Sequence, residues 1–103
     1  MIDFLAKIKY ISTEAGGRKT AAHSGYRPHI KFDFSNYLTS GQQTFLDKKE
    51  VKPGEDVDVE IQILSVEHFA KSLEEGMEFD VCEGTRIVGR GKIIEVINEN
   101  LRK

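Results

Sequence analysis

The sequence predicts an all-β domain, a small barrel or a sandwich, and three observations predict it. Apolar and polar residues alternate in four separate stretches, turn-forming residues stand between those stretches, and only one short segment carries a helical spacing. There is no internal repeat, low-complexity tract or linker, so residues 1–103 read as one domain.

The elements follow in order. Phe4, Ala6, Ile8 and Tyr10 alternate with polar neighbours as a half-buried strand does. Gly16-Gly17 ends it, and Gly25 and Pro28 frame the next turn. Ile30, Phe32 and Phe34 form the inward side of a second strand. The alternation breaks from Ser35 to Ser40, and Gly41-Gln42-Gln43 reads as a loop, with Phe45-Leu46 as a short strand beyond it. Lys52-Pro53-Gly54-Glu55 has proline and glycine where a type II turn wants them. Val57, Val59, Ile61 and Ile63 then make the clearest strand, opposed by Asp56, Asp58, Glu60 and Gln62. Val66, Phe69, Ala70 and Leu73 stand at helical spacing before Gly76, which predicts a short helix near 66–74. Met77, Phe79 and Val81 return to alternation. Gly89 and Gly91 inside the last strand imply a bulge or a close backbone approach, and Ile93, Val96 and Ile97 close the core.

Composition sets the class. At 39% hydrophobic and 31% charged the chain can build one modest core. No run approaches the roughly 20 apolar residues of a membrane span, and the start at Met1 lacks a signal-peptide pattern, so no membrane partner is expected. A lone cysteine, Cys82, fits a reducing compartment, and the expected location is the cytoplasm. Charge is segmented. Residues 1–49 carry a balance of +4, residues 50–83 of −9 and residues 84–103 of +3. Solvated strand faces would account for that pattern; so would a bipolar surface with one side suited to an anionic partner.

Signs of catalysis are missing. Gly16-Gly17-Arg18-Lys19-Thr20 has letters of a phosphate loop without its strand–loop–helix frame. His23, His29 and His68 lack metal-ligand spacing, and one cysteine cannot make a zinc site. Cys82 shares a strand face with Glu78 and Asp80, which disfavour a thiolate. Paired acids such as Asp56 and Asp58 have nothing apolar around them to shift a pKa. The expectation is a protein without metal or cofactor that is not an enzyme.

Four loop segments carry a resemblance. Gly16-Gly17-Arg18-Lys19-Thr20, Gly25-Tyr26-Arg27-Pro28, Lys52-Pro53-Gly54 and Glu83-Gly84-Thr85-Arg86-Ile87-Val88-Gly89-Arg90-Gly91 resemble the C-terminal β-barrel, the third domain, of bacterial translation elongation factor Tu, in its order and near its spacing over residues 5–97. The resemblance implies a six-stranded antiparallel barrel. It also implies a surface that helps hold the T-stem of aminoacyl-tRNA, with the positions of His29 (a glutamine in the family), Glu83 and Gly84 along that contact. Arg18, Lys19, Tyr26 and Arg27 belong to the same tags, and Arg86 and Arg90 add cations to the nucleic-acid candidates. The domains that bind GTP are not represented, so this chain is expected to bind none, and its start at Met1 reads as a stand-alone homologue. Where the family reads Gly-Leu-Arg-Phe-Ala-Ile-Arg-Glu-Gly-Gly, this chain has Gly76-Met77-Glu78-Phe79-Asp80-Val81-Cys82-Glu83-Gly84-Thr85. The core positions stay and the outward ones turn acidic.

Two functions follow as expectations. The first is a binding module that meets tRNA or the translation machinery through the basic tags. The second is a protein–protein module or mimic, whose remodelled acidic face of Asp56, Asp58, Glu60, Glu78 and Asp80 binds a protein partner of the factor. A face that simply turned acidic to stay soluble would show the same substitutions.

Overall fold

A computed structural model describes residues 2–103. Its strands are β1 (Phe4–Tyr10), β2 (Ala22–His23), β3 (His29–Phe32), β4 (Thr39–Phe45), β5 (Glu50–Val51), β6 (Asp56–Ile63), β7 (Glu78–Glu83) and β8 (Arg86–Val96). Six of them close an antiparallel barrel in the order β1-β6-β4-β3-β7-β8, and β2 and β5 pair as a separate short ribbon. Closure leaves the six barrel strands without a free edge.

Alternation puts the apolar set inside. Across β1 and β6, Phe4 faces Ile61, Ala6 faces Val59 and Ile8 faces Val57, and all six are buried. Phe4, Phe32 and Phe79 meet in the interior with ring centroids 5.8–5.9 Å apart, tilted or edge to face. Gly91 lies opposite both Ile8 and Phe79, and a Cβ there would overlap the Phe79 ring. The close approach expected of this glycine is what the structure contains. The Pro53-Gly54 turn is also as read, with Gly54 at φ 91° and the Glu55 N–H donating to the Lys52 carbonyl at 3.0 Å.

Several elements differ from the sequence expectation. Gly41-Gln42-Gln43 is not a loop but the middle of β4. Its inward residues are Thr39, Gly41, Gln43 and Phe45, so polar and side-chain-free positions hide the alternation. Gln43 is fully buried, and its side-chain oxygen accepts from the Tyr10 hydroxyl at 2.8 Å. Phe45 ends β4 and Leu46 is exposed. β3 stops at Phe32, and Phe34 lies half exposed, stacked on the Phe32 ring. Ile97 is 41% exposed rather than in the core, because the β1–β8 register shifts between Leu5 and Ala6 and re-aims the strand end.

The helix expected near 66–74 reduces to one 3-10 turn, Glu67–Phe69. Beyond it Ala70 is extended and Lys71 takes a positive φ of 59°. The backbone groups that a helix would use pair instead with the C-terminal tail. Lys71 N–H donates to the Asn100 carbonyl at 2.9 Å, Leu73 N–H to Leu101 at 2.8 Å, and Lys103 N–H back to Leu73 at 2.7 Å. Phe69, Leu73 and Leu101 are buried together under this cap. Asp3 ties the tail to the barrel: its buried carboxylate accepts from the Ile63 N–H at 2.8 Å and from Asn98 Nδ2 at 2.9 Å.

Two outcomes are expected. Gly91→Ala lowers stability by about 1–3 kcal/mol through overpacking, read by urea denaturation, and Phe79→Leu added to it recovers part of the loss. Leu101→Ala costs about 2–5 kcal/mol, and hydrogen exchange at the Lys71 and Leu73 amides accelerates with it.

Candidate nucleic-acid interface

Arg18, His29 and Arg86 lie at the end of the barrel where β7 turns into β8. Gly84 takes φ 61° in the two-residue turn, and Glu83 pairs across it with Arg86. A side chain at position 84 would be strained in that left-handed conformation. β3 runs beside this turn, with exposed His29 opposite Cys82 on one side and Ser40 on the other. The Gly25–Pro28 segment is laced to β4. Gly25 N–H donates to the Gln43 carbonyl at 2.7 Å, Gln43 N–H to Tyr26 at 2.9 Å, and Gly41 N–H to Pro28 at 2.9 Å. That pairing brings Tyr26 alongside the turn, while Arg27 is directed toward Gln42 on β4.

A polar lock holds the group. The Arg18 guanidinium forms an ion pair with Glu83 and lies over the Tyr26 ring, 4.6 Å from its centroid. The Tyr26 hydroxyl donates to the same Glu83 carboxylate. Burial, and then this bond to Glu83, push the Tyr26 phenol well above its ordinary range, so it stays the donor into alkaline solution. Tyr10 lies behind, 6.4 Å from Tyr26 between ring centroids, and connects the lock to buried Gln43. Arg18 and Glu83, two of the predicted site residues, are therefore largely spent on each other. Lys19, His29 and Arg86 are exposed near the lock, and Arg27 is exposed on the side toward β4. Arg27 donates to Gln42 Oε1 at 3.0 Å.

Arg90 does not join them. It projects from the outer wall of β8, where Nη1 donates to Asp33 at 2.7 Å and to Asp80 at 2.8 Å and Nη2 reaches Glu78 at 3.3 Å. Those bonds push the Arg90 guanidinium above its ordinary range and hold the Asp33 carboxyl below its own. A guanidinium engaged by three carboxylates is a poor phosphate ligand.

The acidic candidates do not form one face either. Asp56, Asp58 and Glu60 lie on β6, Glu78 and Asp80 on β7, and β1 and β8 stand between them. Cross-strand cations oppose most of them: Lys9 faces Asp56, Lys7 faces Asp58, Lys92 faces Glu78 and Arg90 faces Asp80. The segment that is most acidic along the chain is thus interleaved with basic strands in space. Cys82, expected on the open outer face, is buried beside a register shift in the β7–β8 pairing. Its burial, and then Asp80, push the thiol pKa up.

Residues 1–97 match the family model for the elongation factor Tu C-terminal domain. The chain belongs to that family. The six-stranded barrel is the fold the family likeness implies, and the chain is a module of the elongation factor Tu C-terminal type. Among the described residues no helix is long and apolar enough to cross a membrane. Sequence reasoning missed Tyr10, Gln43 and Asp33 as parts of the two polar clusters. The alternation of β1 marks Tyr10 only as core, and Gln43 lies in a segment without apolar alternation.

The Arg90 cluster has a defined pH signature. The depressed Asp33 pKa means its ion pair stabilises the fold above the unfolded carboxylate value of about 3.9 and is lost as pH falls through the folded value. In Arg90→Ala the Asp33 carboxyl is expected to titrate higher by NMR. The stability gap between the two proteins narrows as the solution is acidified.

Proposed function

We propose that this elongation factor Tu C-terminal-type domain is a non-catalytic binding module that works in the cytoplasm and contacts tRNA through the β7–β8 turn. One observation carries the reading. Arg86 stands across the Glu83–Gly84 turn, exposed His29 lies on β3 opposite Cys82 beside it, exposed Lys19 follows Arg18 in the chain, and Glu83 is already paired with Arg18. The rim therefore offers cations without a competing anion, next to exposed backbone, which suits phosphate and ribose hydroxyls. The family likeness supports the same end of the barrel, because the positions of His29, Glu83 and Gly84 are those it associates with the T-stem. The remodelled outer wall is not the contact in this reading, since most of its acids face cross-strand cations. The chain has no part in GTP binding here.

The test is tRNA binding followed by fluorescence anisotropy across a salt series. Lys19→Glu combined with Arg86→Glu is expected to weaken binding at least about tenfold and to flatten the salt dependence by about two phosphate contacts. Asp58→Asn, on the far wall, leaves the affinity within a few-fold. Affinity that ignores the double variant refutes the reading.

A further inference from the structure

The wall made by β4 and the end of β6 differs from the rest of the surface in being nearly free of charge. In a chain that is 31% charged, the outward residues Ser40, Gln42 and Gln62 are uncharged, and the strip runs onto Leu64, which is 79% exposed. Leu64 follows Ile63 out of the alternation of β6, so it is an apolar residue placed on the outside. Two shallow depressions meet there. One is lined by Arg27, Ser40, Gln42, Gln62 and Ile63, the other by Tyr37, Ser65, Val66, Glu67 and His68, and Leu64 belongs to both.

The floor is held in place. The Tyr37 and His68 rings stack with centroids 3.8 Å apart, and the Tyr37 hydroxyl lies 3.4 Å from Ser65 Oγ. The strip is anchored to the barrel ladder by the Leu64 N–H, which donates to the Ser40 carbonyl at 3.0 Å, and by the Ser65 N–H, which donates to Thr39 Oγ1 at 3.1 Å. Within the two depressions the charged side chains are Arg27 at one end and Glu67 at the other, and Glu60 borders Gln42 and Gln62 on the side away from Leu64. Among the described residues neither Arg27 nor Glu67 takes part in an ion pair. An apolar centre depleted of charge, with a tyrosine and an arginine beside it, is the composition of a protein-binding patch.

We propose that this strip docks a protein segment of fixed polarity. The segment places a carboxylate on Arg27, a bulky apolar side chain against Leu64 and a cationic side chain on Glu67, while the Ser40, Gln42 and Gln62 side chains hydrogen-bond its backbone. Nucleic acid fits less well, because a phosphate chain crossing Leu64 would find one cation and then an acid. The proposal does not depend on tRNA binding at the β7–β8 turn.

The probe is a phage-displayed library of random dodecapeptides selected on the immobilised protein, with winners resynthesised and measured by anisotropy. The expected winners carry an acidic residue on one side of a Leu, Ile, Met or aromatic residue and a basic residue on the other. Leu64→Lys weakens them about tenfold or more. The double variant Arg27→Glu with Glu67→Arg comes to prefer the same peptide with its charges exchanged. All three positions are exposed, and a thermal melt of each variant checks that the fold is intact. The proposal is overturned if no sequence is enriched, if the winners lack this charge order, or if Leu64→Lys leaves their affinity unchanged. A dimer in sedimentation that Leu64→Lys abolishes would assign the strip to a second copy of the chain, and tRNA affinity lost in Leu64→Lys would assign it to RNA; either result also overturns it.

Discussion

The Phe79 ring lies across the backbone of Gly91, and the registers on both sides of β8 depend on that contact. A six-stranded barrel has a narrow interior, and Phe4, Phe32 and Phe79 already fill its middle. Position 91 has room only for hydrogen, so β8 can meet β1 and β7 with Gly91 opposite Ile8 and Phe79 and with no bulkier inward residue there. A slip of one residue would send every β8 side chain to the other side of the wall. Arg90 and Lys92 would then enter the core and Gly91 would leave it. The packing of one ring inside thus dictates which charges face one another outside.

How much of this was legible in the sequence depended on what filled the inward positions. β1 and β6 were readable because all their inward residues are apolar. β4 was not, because Gly41 makes room for Ile30, whose Cγ1 would lie 2.7 Å from a Cβ there, and Gln43 is held by Tyr10. Both roles are set by partners far away along the chain. The segment from 65 to 76 failed for a related reason. Phe69 and Leu73 do face the core, as a helix would have them, but Leu101 and Asn100 supply the backbone partners. Tertiary pairing replaced a local pattern that was itself sound.

The candidate site was legible as a set of loop tags and illegible as chemistry. Gly16–Thr20, Gly25–Pro28 and Glu83–Gly84 do come together at one end of the barrel. Which of their charges remain available is decided by contacts that no spacing reveals. Arg18 and Arg90 look alike in the sequence as exposed cations, yet one neutralises Glu83 and the other is divided among Asp33, Glu78 and Asp80. Lys19 and Arg86, one and three residues from Arg18 and Glu83 in the chain, stay at the rim.

The charge segmentation along the chain acquires its meaning from antiparallel pairing. The acidic middle supplies β6 and β7, while the basic flanks supply β1 and β8, and closure places those two basic strands side by side between the acidic ones. Opposite charges face one another across the β1–β6 and β7–β8 ladders, where each pair contributes a fraction of a kcal/mol up to about 1 kcal/mol, while Lys7 and Lys9 stand abreast of Lys92 and Arg90 between β1 and β8. Segmentation in sequence becomes partial cancellation in space. Long-range attraction for a charged partner persists where strands end and cross-strand partners run out. The β7–β8 turn is one such place, where Lys19 and Arg86 stand exposed near a carboxylate already taken by Arg18.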